Sequence, residues 1–211
     1  MLCDYEKFKK NVFGLTQIDL NAYKEKQMRR RIDTLINKNK MANYDSYVEL
    51  LKKDKEKFEQ FVNFLTINVS EFYRNPEQWK LLDQEVIPEL IQKFGKSLKI
   101  WSAACSTGDE PYSLVMAFSR HIPLNQIKIL ATDIDRQVMD TARIGLYSEK
   151  SIAGVPDDFK RKYFTKVGNS FQLSKEITSR VQFQQHNLLK DDYPTKCHLI
   201  VCRNVLIYFT E

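Results

Sequence analysis

The residues best placed to do chemistry lie in one stretch, residues 99–116, KIWSAACSTGDEPYSLVM. An apolar run, Leu98–Ala104, leads into the small polar residues Ser106, Thr107 and Gly108. A helix start follows, with Pro111 in the first turn and Tyr112, Leu114, Val115 and Phe118 behind it. A strand, a tight turn and a helix N-terminus in series form the nucleotide-binding corner of an α/β sheet. A second apolar run, Ile127–Thr132, ends in Asp133, at about the 20-residue separation typical of a ribose-binding acid. The turn carries Gly108 alone and lacks GxGxxG, so a pyrophosphate cannot approach its backbone closely. A nucleoside without phosphates fits better, and S-adenosylmethionine is such a ligand, with adenine, ribose and a cationic methionine end. Asp133 either caps its own turn or accepts the ribose hydroxyls; Asp135 is available as the cap, which favours the ribose role. Asp109 and Glu110 either complement the helix dipole or face the ligand's cation, and spacing leaves both readings open.

The elements that must hold these residues change character along the chain. Residues 1–65 read as helical, with no proline and one glycine, Gly14. A helix capped by Asn21 runs to about Asn39, with Met28, Ile32, Leu35 and Ile36 as its buried stripe. Helices over Tyr44–Lys52 and Lys55–Ile67 complete a small helical domain. Residues 66–77 form a polar linker ending at Pro76, and Gln78–Phe94 is a helix that Pro88 must kink or split. From Leu98, strands alternate with helices: Leu98–Ala104, Glu110–His121, Ile127–Thr132, Arg136–Arg143, Val181–Gln185 and Leu199–Cys202. Residues 144–164 are expected to hold two short helices, and Phe171–Leu173 a short strand. The expected fold class is α/β: a small N-terminal all-helical domain, 1–65, and a Rossmann-like domain, 78–211, with a right-handed parallel sheet. Ending after the fourth strand, that sheet reads as truncated at the C-terminus.

Charge is concentrated rather than spread. Of a net charge of +6, residues 21–40 alone carry +5. Lys26 and Arg30 point away from the buried stripe, while Lys24, Arg31 and Lys38 line one flank. Such a helix is either an ordinary solvated face or a docking surface for a specific acidic partner. Cys3, Cys105, Cys197 and Cys202 form no CxxC pair, and His121, His186 and His198 lie far apart. Reduced thiols, a cytoplasmic location and no metal are expected. No apolar run of about 18 residues exists, so no membrane insertion is expected.

Five blocks occur in order: NVSEFYR (68–74), WSAACSTGDEPYS (101–113), ATDID (131–135), NLL (187–189) and CRNVLIYF (202–209). Together they resemble the CheR family of chemotaxis receptor glutamate methyltransferases, over nearly the whole chain. The resemblance implies S-adenosylmethionine as cofactor, with S-adenosylhomocysteine as product, and glutamyl methyl esters formed on methyl-accepting chemotaxis receptors. It places Asn68, Ser70, Arg74, Glu110, Asp133, Asn187, Leu188, Arg203 and Asn204 at cofactor-binding positions, and Arg74 and Tyr208 near the transferring methyl. The family usually has Thr at the position of Ser70 and Phe at that of Tyr73; the hydroxyl at position 70 is kept.

The chemistry agrees with this resemblance. A glutamate carboxylate, with a pKa of about 4.3, is already ionised at neutral pH and needs no general base. It must be desolvated and aligned, and Arg74 has the geometry to orient it through paired hydrogen bonds. The acidic helical cytoplasmic region of a receptor would suit the basic segment Lys24, Lys26, Arg30, Arg31 and Lys38, with the enzyme a monomer. The alternatives are a nucleic-acid methyltransferase and a non-catalytic cofactor-binding domain. The first lacks the (Asp/Asn)-Pro-Pro-(Tyr/Phe) strand end used on base amines, having Cys202-Arg-Asn-Val205 there instead.

Overall fold

The computed structural model describes residues 4–66 and 70–210. The chain forms two compact units, Met1–Ile67 with Asn204–Glu211, and Asn68–Arg203. From Asn68 the linker belongs to the α/β unit, and the last eight residues belong to the helical one.

In the helical unit, α1 (Tyr5–Thr16), α2 (Glu25–Lys38), α3 (Tyr44–Lys53) and α4 (Lys55–Leu65) surround a ring-rich core. Phe8 packs on Tyr44 at 4.7 Å between centroids, and Tyr47 meets Phe61 edge-on at 5.7 Å. The stripe Met28, Ile32, Leu35 and Ile36 is buried, as its helical spacing requires. Asn43 and Ser46 form a capping box at α3, and Asp54 caps α4. Asn21 does not cap α2. It sits in a 3₁₀ turn, Leu20–Ala22, capped by Asp19, and α2 starts at Glu25. The chain's end completes this unit: the Lys24 amide donates to the Tyr208 carbonyl at 3.0 Å, and the Thr210 amide to the Ala22 carbonyl at 2.9 Å.

In the α/β unit, β1 (Ile100–Ala103), β2 (Ile129–Asp133), β6 (Val181–Gln185) and β7 (Leu199–Cys202) form a parallel sheet in the order β6-β2-β1-β7. Ile100 pairs with Ile129 on one side and Leu199 on the other. The core lies between one sheet face and α7 (Asp109–Phe118), whose Tyr112, Leu114, Val115 and Phe118 are fully buried. Helix α8 (Arg136–Ile144) follows β2. Pro88 is absorbed without a break: α5 (Pro76–Leu81) continues through a π-helical stretch, Leu82–Val86, into α6 (Ile87–Phe94). A widened turn relieves the bond that proline cannot donate.

Residues 144–164 depart from expectation. They hold one helix, α9 (Asp157–Tyr163), rather than two, and β3 (Leu146–Ser148). With β4 (Phe164–Val167) and β5 (Ser170–Leu173), β3 builds a separate antiparallel sheet, ordered β3-β5-β4. Gly168-Asn169 forms the hairpin between β4 and β5, with Gly168 left-handed at φ 58°.

Candidate active site

Strand order reverses between β1 and β7: the chain runs outward from β1 through β2 to β6, then returns to the other side of β1. The carboxyl ends of the strands at such a switch point are where open α/β sheets bind ligands. The turn after β1 lies there. Ala104 (φ 59°) and Ser106 (φ 48°) are left-handed, and so is Gly108 (φ 86°). Non-glycine residues held this way cost about 1–3 kcal/mol each and persist where the surroundings over-determine them. Gly108 is required by contact as well as by φ, since a Cβ there would stand 2.8 Å from the Ala142 Cβ. The Ser106 hydroxyl is buried with no partner among the described residues.

Two acids flank the turn, and burial raises both. Glu110 accepts from the Ser102 hydroxyl at 2.8 Å and faces Arg203 Nη1 at 3.5 Å. Its carboxyl is pushed up to about 7 by desolvation, which the Ser102 and Arg203 interactions only partly offset. Asp133, also desolvated, rises to about 6. Its two oxygens accept the Ser106 amide at 2.8 Å and the Asp135 amide at 3.0 Å, so it ties the β1 turn to the β2 turn. Asp135 caps α8 separately, accepting from the Gln137 amide at 2.9 Å. Each Asp133 oxygen keeps a further lone pair for a hydroxyl.

Asp109 has a different role. It is fully buried and accepts hydroxyls from Thr107 and Ser151, each at 2.6 Å, and from Ser70. Desolvation nevertheless raises its pKa. It anchors a strap, residues 70–75, across the site. The Phe72 amide donates to the Ser151 carbonyl at 3.1 Å, and its ring lies edge-on to Tyr147 and Phe164. The Tyr73 amide donates to Ser113 Oγ at 3.2 Å. Arg74 sits between two left-handed residues, Tyr73 (φ 53°) and Asn75 (φ 61°), and its carbonyl accepts the Trp79 indole N–H at 2.9 Å. Ser70, expected at the cofactor, thus has its hydroxyl on Asp109.

The remaining expected residues divide by unit. Arg203, after β7, donates from Nη2 to the Arg74 carbonyl at 2.6 Å. Asn187, after β6, accepts the Leu189 amide at 2.9 Å through its side chain, and the Leu188 carbonyl accepts the Tyr193 hydroxyl at 2.7 Å. The α/β unit therefore joins Arg74, Glu110 and Arg203 in one bonded cluster, while Ser70 is held by Asp109, Asp133 by the Ser106 and Asp135 amides, and Asn187 and Leu188 lie at the end of the neighbouring strand. Asn204 (φ 58°) and Tyr208 belong to the helical unit. Asn68 lies outside the described residues. Sequence reasoning missed the anchors Ser151, Ser113, Asn75 and Gln78; the Asn75-Pro76 turn signal was the one visible hint.

Lys24, just before α2, and Lys26, Arg30 and Lys38 on it are exposed. Lys26 and Arg30 line an open depression of about 640 Å³ together with Glu25 and Asp33. Arg31 is not on this face. Its guanidinium donates to the Phe64 carbonyl at 2.6 Å and lies over the Phe64 ring, and desolvation lowers its pKa. It holds α2 to α4, so of the five basic residues expected at a docking surface Arg31 is the one bonded within the unit.

A parallel sheet with a glycine-poor turn at its switch point, and desolvated acids at the start of α7 and the end of β2, fits a Rossmann-like domain for a phosphate-free nucleoside cofactor. Residues 68–211 match the CheR methyltransferase SAM-binding domain, and residues 4–66 the CheR methyltransferase all-alpha domain. The chain belongs to the CheR methyltransferase family. A chemotaxis protein methyltransferase of Listeria innocua is 40% identical over 207 residues, covering 98% of this chain and 79% of the relative. Its counterpart in Listeria monocytogenes is 39% identical over the same shares, and one from Borreliella burgdorferi is 32% identical, covering 95% and 75%. The cofactor is S-adenosylmethionine and the activity methyl transfer. The donor set suits it: two carboxylates beside the turn disfavour phosphates and favour a cation and hydroxyls. No helix among the described residues is long and apolar enough to cross a membrane.

Proposed function

We propose that this protein transfers methyl groups to glutamate side chains of chemotaxis receptors, forming glutamyl methyl esters. Similarity to chemotaxis protein methyltransferases supports the receptor as partner. The observation that carries the chemistry is the strap. It presents Arg74 on a backbone held by Asp109, Ser151, Ser113, Trp79 and Arg203.

S-adenosylmethionine supplies, when bound, a methyl group activated by its sulfonium charge. Glu110 and Asp133 would hold its cationic end and its ribose, and Asn187 and Leu188 would complete the pocket. Glu110 must be ionised to do so, and Arg203 and Ser102 favour that form against burial. The acceptor glutamate arrives ionised, and the protein removes no proton from it. Arg74 orients the carboxylate by paired charge-assisted hydrogen bonds, and the pre-set strap lowers the entropic cost of alignment. On the helical unit, Lys24, Lys26, Arg30 and Lys38 attract an acidic receptor helix and set its register.

The test is incubation with methyl-labelled S-adenosylmethionine and either a receptor cytoplasmic fragment or duplex DNA and RNA. Label is expected on the receptor fragment alone. Label on nucleic acid, or none on any acceptor despite cofactor binding, would overturn the proposal.

A further inference from the structure

The imidazole of His186 is buried just after β6, 5% exposed, and takes no part in the chemistry above. The residue is held by its backbone and by its ring. Its amide donates to the Asp133 carbonyl at 2.9 Å, which ties it to the end of β2. Its Nε2 lies 3.2 Å from the Asp192 carbonyl. A carbonyl only accepts, so Nε2 carries the hydrogen and Nδ1 is the bare acceptor. Nδ1 is buried with no partner among the described residues. The ring stands edge-on to Trp101 of β1 at 5.6 Å between centroids, and the Tyr193 ring lies 6.0 Å away. Between the two points that His186 grips, the chain closes on itself. The Asn187 amide donates to Asp191 Oδ2 at 2.8 Å, and the Asn187 carbonyl accepts the Lys190 and Asp191 amides at 3.1 and 2.9 Å. Asn187 Oδ1 accepts the Leu189 amide, and the Tyr193 hydroxyl donates to the Leu188 carbonyl. Those bonds shape the loop internally; the His186 amide joins it to β2, and the His186 ring holds its far end.

We propose that His186 is a positioning residue for cofactor binding: its Nε2–H, bonded to the Asp192 carbonyl, holds the 187–192 loop folded, so that Asn187 and Leu188 stand at a fixed distance from Asp133. The proposal rests on the reading of Asn187, Leu188 and Asp133 as pocket residues given above. A loop already folded into its binding form loses less freedom when a nucleoside enters. The aromatic contacts place the ring, and the Nε2 donor holds the loop.

The experiment compares His186→Gln, His186→Phe and His186→Asn in the full chain. The glutamine amide nitrogen lies as many bonds from Cβ as Nε2 does, and so reaches the Asp192 carbonyl. Phenylalanine keeps a ring against Trp101 and loses the donor. Asparagine places its nitrogen where the unpartnered Nδ1 stands, short of Asp192. S-adenosylhomocysteine affinity is measured by calorimetry, and amide exchange over residues 187–193 by mass spectrometry without ligand. His186→Phe and His186→Asn are expected to lower the affinity about tenfold, as a loop that must be ordered on binding does. Exchange over 187–193 is expected to rise in both while β1 and α7 stay protected. His186→Gln is expected to keep the affinity within about twofold and the exchange at the wild-type level. Equal behaviour of His186→Gln and His186→Phe would overturn the role of the donor, because a ring that only fills space is replaced better by phenylalanine than by glutamine. Unchanged loop exchange in His186→Phe and His186→Asn would overturn it as well, and that readout needs no ligand. Faster exchange with unchanged affinity would overturn the proposal by another route: His186 would hold the loop, and the reading of Asn187 and Leu188 as pocket residues would be the part that fails. Should His186→Phe fail to fold, His186→Asn against His186→Gln makes the same decision.

Discussion

Replacing Glu110 by Gln separates what this carboxylate costs the fold from what it contributes to the site. Burial raises its pKa from 4.5 to about 7, despite Ser102 and Arg203. At about 1.4 kcal/mol per pH unit, ionising it in the folded protein costs at most about 3.5 kcal/mol at pH 8. The folded form binds the extra proton between pH 4.5 and about 7. Stability from the neutral carboxyl is therefore full below pH 4.5 and lost as pH rises through about 7. Glu110→Gln removes that loss. Because Arg203 then lacks its counter-charge, a net gain of about 1–2 kcal/mol is expected at pH 8, read by urea unfolding. Cofactor binding moves the other way. A cation requires the ionised acid, so wild-type affinity for S-adenosylhomocysteine is expected to fall about tenfold from pH 8 to pH 6. In the Gln variant it is expected to be weak and flat. A variant less stable than wild type at pH 8, or a wild-type affinity that does not change with pH, would refute the reasoning.

Four further perturbations follow from the contacts. Asp109→Asn faces its hydroxyl partners with an amide and is expected to cost about 2 kcal/mol, seen as a lower urea midpoint. Gly154→Ala puts a Cβ 2.6 Å from the Phe72 carbonyl, a backbone atom that must move. It is expected to displace the strap and lower methyl transfer about tenfold, measured by label incorporation at saturating cofactor. Lys26→Glu with Arg30→Glu is expected to weaken receptor methylation while unfolding stays within about 0.5 kcal/mol of wild type. Arg31→Glu is expected to destabilise the fold by about 2–4 kcal/mol, because its bond to Phe64 is internal.

The site was legible where chemistry and periodicity coincide. The β1 strand, its glycine-poor turn and α7 follow from apolar runs broken by Ser106-Thr-Gly108, and β6 and β7 fall at the expected residues. Asp133 was proposed from its spacing after the turn, whereas Glu110 and Arg74 were assigned to the site only through the ordered sequence blocks. What escaped has one physical cause: long-range pairing leaves no local pattern. Arg31 and Lys38 share a helix flank, yet only Arg31 has a carbonyl on α4 within reach. Asp109 and Glu110 are neighbours with the same charge, and only the fold directs one to three hydroxyls and the other to Arg203. The antiparallel sheet was missed because β3, β4 and β5 are three or four residues each, too short for alternation to stand out, although Gly168-Asn169 is a hairpin signal. The last eight residues read as a continuing Rossmann domain, but their backbone partners are Ala22 and Lys24.

The central claim is that the accepting atom is a glutamate carboxylate oxygen. Mass-spectrometric sequencing of a receptor cytoplasmic fragment, after incubation with this chain and S-adenosylmethionine, tests it most directly. The predicted result is one added CH₂ on glutamate, lost as methanol on mild base treatment and absent with Arg74→Ala. A base-stable methyl group on lysine, arginine or any nitrogen would contradict it.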